Sequence, residues 1–225
     1  MEEHAKAYAE VRERLCGLVS SLEAGAEDTV TPGCPEWRVR DVLAHVSGSA
    51  AELAGGRFPS GSVEEWIADQ VKSRSDKSIA DLVAEWTDAA TGFESLLTTM
   101  PGVMSGALAG DAVTHEQDIR GAIGKPGARG GAASEVVLDY YTEQLGTRIT
   151  GAGIGALRIR HSRGEVTVGE GDPAVTVTTD DFELLRSLTG RRTTDQIAAY
   201  KWEGDASPYL SIFSNYGMPD TPIIE

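Results

Sequence analysis

The spacing of apolar residues changes once along this chain, near residue 130, from helical periodicity to strict alternation. That change restricts the fold to two units of different kind. It falls across the glycine-rich stretch Gly124-Lys-Pro-Gly-Ala-Arg-Gly-Gly131. Before it, apolar residues recurring at three and four predict helices over about 3–24, 38–55, 78–98 and 108–124, with a shorter helix near Val63 to Val71 in the long link between the second and third. Connections such as Thr31-Pro-Gly-Cys-Pro35 and Pro59-Ser-Gly-Ser62 separate them, and four helices in about 125 residues predict a bundle. After the switch, a helix over Ser134 to Thr147 precedes three alternating pairs, Leu157/Ile159, Val166/Val168 and Val175/Val177. These predict antiparallel strands joined by His161-Ser-Arg-Gly164 and Glu170-Gly-Asp-Pro173. Asp180-Asp-Phe-Glu183 then leads into Leu184, Leu185 and Leu188 with Gly190 beyond, the order of an N-cap, an acidic first turn and a C-terminal glycine. The expected class is mixed: a four-helix bundle over residues 1–130, then a smaller α+β domain over residues 131–225 with a short antiparallel sheet.

Charge excludes whole classes of partner. The 225 residues carry 20 Lys and Arg against 35 Asp and Glu, a formal net charge of −15. A nucleic-acid binder needs a basic surplus to neutralise phosphates, and an anionic membrane surface would repel such a chain. Cys16 and Cys34 are too few for a disulfide framework and lack Cys-x-x-Cys spacing, so a reducing compartment is the default. The opening MEEHAKAYAE lacks the basic and apolar blocks of a signal peptide, and no run approaches the ~18 apolar residues of a membrane span. The expected setting is cytoplasmic and the expected partner a small-molecule substrate, with no nucleic acid and no membrane; the oligomeric state is left open.

With only four histidines, their positions carry weight. On a helical wheel from Leu108 to Ile123, the residues Leu108, Ala112, Ile119, Ala122 and Ile123 form one apolar stripe with His115 in its middle and Asp111 on its edge. An i, i+4 pair sets this carboxylate and imidazole side by side, aimed at the bundle interior, where an unpaired carboxylate costs several kcal/mol unless a cation or donor meets it. In the second helix, Val39, Val42, Leu43, Val46, Ala50 and Leu53 form the stripe, and His45 lies about 60° outside it. That position permits an inward reach without requiring one. If the two helices are neighbours, His45, Asp111 and His115 converge as two imidazoles and a carboxylate, the ligand set of catalytic zinc or of other non-haem divalent metals. The competing reading is a hydrogen-bonded core histidine.

The flanking residues admit two readings each. Asp118 and Arg120 are candidates to orient the ligands, or members of a surface ion network. Arg191 and Arg192, after a glycine, suit a substrate carboxylate or a solvated turn. Glu116 lies off the stripe and reads as surface. Cys34, beside Pro35, reads as loop packing, and Trp37, Trp66, Trp86 and Trp202 as core and rim packing. No phosphate loop, nucleophile elbow or dinucleotide fingerprint is present.

Two segments resemble a known family. Thr31-Pro-Gly-Cys-Pro-Glu-Trp-Arg-Val-Arg-Asp-Val-Leu-Ala-His45 and Gly110-Asp-Ala-Val-Thr-His-Glu-Gln-Asp-Ile-Arg-Gly-Ala-Ile-Gly-Lys-Pro126 are similar to the two metal segments of the mycothiol-dependent maleylpyruvate isomerase family. Leu184-Leu-Arg-Ser-Leu-Thr-Gly-Arg-Arg192 with Trp202-Glu-Gly-Asp205 is similar to its C-terminal domain. The resemblance implies a DinB-like metal-binding four-helix bundle and a smaller α+β domain that helps close the site. It implies His45 and His115 as ligands, and a divalent metal, zinc, with mycothiol or another low-molecular-weight thiol as cosubstrate. The family's Glu four residues before the last ligand is Asp111 here, one methylene shorter, and no arginine follows Arg192 to match the family's C-terminal one.

The implied chemistry is a cis–trans isomerisation or a thiol transfer on a small electrophile. The cosubstrate thiolate, not a protein side chain, is the nucleophile: it adds to a conjugated cis double bond, the adduct rotates, and loss of the thiol leaves the trans product. In a transferase the adduct is released. Two other readings remain: a metal-containing module binding a small molecule or lipid in a sterol-carrier-like second domain, and an interaction protein with a vestigial site.

Overall fold

The computed structural model describes residues 1–225 as two compact units, Met1–Ala128 and Arg129–Glu225. The division falls inside the glycine-rich stretch.

The first unit is a helical bundle. Helices α1 (Glu2–Ser20), α2 (Val39–Ala54), α4 (Ile79–Thr99) and α5 (Gly102–Ala122) pack with α1 against α4 and α5, and α2 against the same two. The shorter α3 (Val63–Ser73) lies on α2. Each of the four helices supplies fully buried residues: Val11 and Leu15 from α1, Val42 and Leu43 from α2, Trp86, Phe93 and Leu97 from α4, and Ala109 and Ile119 from α5, whereas Leu108, Ala122 and Ile123 of the expected α5 stripe are half-buried. Burial of these side chains is what drives the helices together. Trp86 has no solvent exposure, yet its indole is satisfied, donating to the Tyr8 hydroxyl at 2.6 Å; Tyr8 also meets Phe93 edge-on, centroids 4.8 Å apart. Ser62 caps α3 through Glu65 N, and Ser78 forms a capping box with Asp81 that starts α4, each satisfying otherwise orphaned backbone donors.

The loop before α2 is more ordered than its Pro and Gly content suggested. It forms a two-stranded antiparallel ribbon, β1 (Val30–Thr31) with β2 (Cys34–Arg38). The buried Thr31 hydroxyl lies 3.0 Å from the carbonyl oxygens of both Cys34 and Trp37, so one side chain fixes the stretch carrying those two residues.

In the second unit, α6 (Ala132–Gly151) covers a four-stranded sheet of order β4-β3-β5-β6, made from β3 (Leu157–His161), β4 (Gly164–Val168), β5 (Val175–Thr178) and β6 (Lys201–Glu203). The helix approaches closely at Gly146, where a Cβ would stand 3.3 Å from Gly169 N. Helices α7 (Asp181–Leu188), α8 (Thr194–Ala198) and α9 (Ser207–Leu210) complete it. Asp180 caps α7, and Gly190 beyond it adopts φ +73°, a conformation that a Cβ disfavours. The mixed class expected from sequence is the observed one. Within the sheet the expected β4–β5 hairpin is absent: β3 runs antiparallel to β4, and β5 lies on the other side of β3, parallel to it, because alternation reports a face and neither a direction nor a neighbour. No helix is long and apolar enough to cross a membrane.

Candidate metal centre

Two helices and a ribbon build the site. His45 projects from the middle of α2, and Asp111 and His115 from successive turns of α5. The structure brings all three together: their ligand atoms lie within 4.8 Å of one another. His45 Nε2 stands 3.2 Å from Asp111 Oδ2 and His115 Nε2 stands 3.3 Å from Asp111 Oδ1, so one carboxylate faces two imidazoles. The rings are nearly perpendicular, with centroids 5.2 Å apart.

Each imidazole is held through its other nitrogen. His45 Nδ1 donates to Gln70 Oε1 at 2.8 Å, and His115 Nδ1 donates to Asp118 Oδ2 at 3.0 Å. A neutral ring protonated at Nδ1 carries its lone pair at Nε2, so both lone pairs point at an anion. That arrangement requires a positive charge between them. In its absence a proton supplies one. Burial disfavours the charged His115, but the Asp111 carboxylate outweighs burial and raises its pKa well above the ordinary histidine value. Burial likewise opposes ionised Asp111, yet the two imidazoles hold its carboxyl far below the usual carboxylate range.

A divalent cation fits the same atoms. Ligands about 2.1 Å from a tetrahedral centre stand about 3.4 Å apart. The observed 3.2 and 3.3 Å, each to a different oxygen of the one carboxylate, are near that edge, and exceed the ~2.7–2.9 Å of a charge-assisted N–H···O bond. The imidazoles are buried, at 5% and 7% side-chain exposure, whereas the Asp111 side chain keeps 33%. The carboxylate is therefore partly open to solvent, as its place on the edge of the stripe allows, and not wholly within the bundle interior.

The ribbon supplies a wall. Trp37 lies with its ring centroid 5.3 Å from His45 and 6.1 Å from His115, and Cys34 Sγ is 3.8 Å from Asp118 Oδ2. The sequence reads Trp37 as core and rim packing and Cys34 as loop packing; in the structure both are neighbours of the imidazoles, and their sequence signal is their place in the segment leading into His45.

The remaining candidates fall elsewhere. Glu116, expected on the surface, is fully buried: Arg14 of α1 grips it through two nitrogens at 2.7 and 2.6 Å, and Arg120 binds it at 2.9 Å. Arg120 is thus an ion-pair partner of Glu116 and makes no bond to the imidazoles. In the second unit, Arg192 is 3% exposed and committed to Glu183 through two bonds of 2.6 and 2.7 Å, with a further contact to Glu225 at 3.3 Å. Arg191 donates to the carbonyl of Thr189 at 2.7 Å. Gln70 was not anticipated; an uncharged amide on a link helix gives no chemical signal in a sequence.

Comparison with known proteins bears on this geometry. Two solved structures share the fold: a histidine-to-alanine mutant of the mycothiol-dependent maleylpyruvate isomerase, with TM-score 0.63 and 13% identity over 90% of this chain and 92% of that one, and the mycothiol-dependent maleylpyruvate isomerase, with TM-score 0.59 and 15% identity over 84% and 89%. No curated protein matches the chain by sequence. Residues 8–120, just over half of the chain, match the family described as the mycothiol maleylpyruvate isomerase N-terminal domain, and the chain belongs to that family.

Proposed function

We propose that this protein is a divalent-metal-dependent isomerase or thiol transferase that acts on a small electrophile, with mycothiol or another low-molecular-weight thiol as cosubstrate. One observation carries the reading: two imidazole lone pairs converge on a single, part-exposed carboxylate, with spacings of 3.2 and 3.3 Å. His45, Asp111 and His115 would hold the ion, and two nitrogens with one oxygen suit zinc. A cation bound there lowers the pKa of a thiol and so supplies a thiolate near neutral pH.

The protein's own residues do the rest. Asp118 fixes the ring of His115. Trp37 lays an apolar surface beside both imidazoles and keeps bulk water off that side. The exposed edge of Asp111 marks the open side from which thiol and substrate enter. No protein nucleophile is needed, since the cosubstrate brings its own. An apolar-ligand module is less well supported: a cleft of the second unit, about 420 Å³, has Val166 and Val168 in its lining but also Asp139, Glu143 and His161, and an acyl chain laid there would desolvate charged groups without pairing them.

The test is an assay of maleylpyruvate isomerisation, and of thiol consumption with a panel of small electrophiles, using chelator-treated protein before and after zinc is restored. Turnover that requires both zinc and mycothiol is the expected result. Zinc-loaded protein inactive towards every electrophile, or turnover without thiol, would overturn the proposal.

A further inference from the structure

The helix between α2 and α4 does more than connect them. Along α3 and the residue that caps its C-terminus, Trp66, Gln70 and Arg74 follow at intervals of four, and along α2 His45, Ser49 and Glu52 follow at intervals of four and three. The two series form a polar zipper. Trp66 Nε1 donates to Glu52 Oε2 at 2.8 Å, Arg74 Nη1 donates to Glu52 Oε1 at 3.0 Å, and Gln70 Oε1 accepts from Ser49 Oγ at 3.2 Å and from His45 Nδ1 at 2.8 Å. Arg74 also reaches α4, pairing with Glu85 at 2.9 and 3.2 Å. It lies so close to α2 that a Cβ at Gly48 would stand 2.8 Å from Nη1. Arg74 is 5% exposed, so the helix is pinned one turn beyond Gln70.

Gln70 itself is fully buried, and its Nε2 has no hydrogen-bond partner. An orphaned amide donor is costly. The side chain nevertheless presents its oxygen to His45 and leaves its nitrogen unpaired.

We infer that Gln70 is a positioning residue for the metal centre: its carbonyl oxygen selects the Nδ1-protonated tautomer of His45 and so turns the lone pair of Nε2 towards Asp111. Asp118 does the same for His115 with a carboxylate, so the two histidines are oriented by unlike groups on different helices, α3 and α5. This rests on the metal reading above. An outer hydrogen bond of this kind is typically worth 10–100-fold in metal affinity.

The experiment is a zinc affinity measurement by chelator competition on the full chain, comparing wild type with Gln70→Leu and Gln70→Glu. Leucine removes the acceptor at similar volume; glutamate keeps it. Gln70→Leu is expected to weaken zinc about 10–100-fold, and Gln70→Glu to restore near wild-type affinity, which a merely space-filling role would not produce. Equal affinity in Gln70→Leu, or Gln70→Glu as weak as Gln70→Leu, overturns the inference while leaving the metal reading intact; wild type that binds no zinc removes both. Side-chain ¹⁵N shifts of His45 in zinc-loaded wild type give a readout that needs no variant to fold. Nδ1–H is expected, and Nε2–H contradicts the assignment.

Discussion

Nδ1 of His115 donates to Oδ2 of Asp118 at 3.0 Å, from one turn to the next of the same helix. The partner is a carboxylate with no side-chain exposure, so it fixes ring and tautomer together. Asp118→Ala is expected to weaken zinc binding by about 10–100-fold, measured by chelator competition, whereas Asp118→Asn, which keeps an acceptor oxygen, should lose less. Equal affinity in wild type and Asp118→Ala would show that the bond does not orient a ligand.

Glu116 is a stability residue. It is wholly buried between Arg14 and Arg120, whose side chains keep 26% and 13% exposure. Breaking a buried ion pair by removing one partner costs about 3–5 kcal/mol. Because both guanidiniums can turn partly to water, Glu116→Ala is expected near the lower end, about 3 kcal/mol, in urea unfolding of the first unit. A loss below about 0.5 kcal/mol, the usual range for surface substitutions, would contradict the bridge.

Trp37 should report on the site. Its ring lies 5.3 and 6.1 Å from the two imidazole centroids, close enough for a paramagnetic divalent ion to quench its fluorescence. Titration with Co²⁺ is expected to reduce emission in wild type, with the change largely lost in Trp37→Phe. An undiminished change in that variant would assign the signal to another tryptophan.

Acid should act on the second unit through Glu183. Its hydrogen bonds from Arg192 lower its pKa against the opposing effect of burial. A carboxylate whose folded pKa lies below its unfolded value stabilises the fold above the unfolded value, near 4.5, and loses that contribution as pH falls through the folded one. Trp202, the one tryptophan of this unit, allows its unfolding to be followed by fluorescence. Wild type is expected to lose stability as pH drops below about 4.5, and Glu183→Gln to show a flatter acid limb. Identical acid limbs would remove Glu183 from the account.

What was legible in the sequence follows from the range of each signal. Asp111 and His115 share a helix, so their pairing is a matter of periodicity. His45 is on another helix, and a wheel gives its angle without telling which neighbour it meets. Asp118 was visible as a candidate because it too is local to α5. Glu116 was misplaced because half of its partnership, Arg14, is 102 residues away. Gln70 reaches His45 from α3, which Arg74 ties to Glu52 and Glu85, a tertiary fact with no local trace. In the second unit, alternation located β3 and β5 but could not give their parallel pairing. The short β6 and α8, each of five residues or fewer, carry too few periods to stand out.

The central claim is that His45, Asp111 and His115 together hold one divalent ion. Equilibrium dialysis of the purified chain against zinc, with bound metal counted by mass spectrometry in wild type, His45→Ala, Asp111→Ala and His115→Ala, tests it most directly. One zinc per chain in wild type, lost in each variant while the fold persists, is the predicted result. A wild type that retains no zinc, or variants that retain as much as wild type, would contradict it.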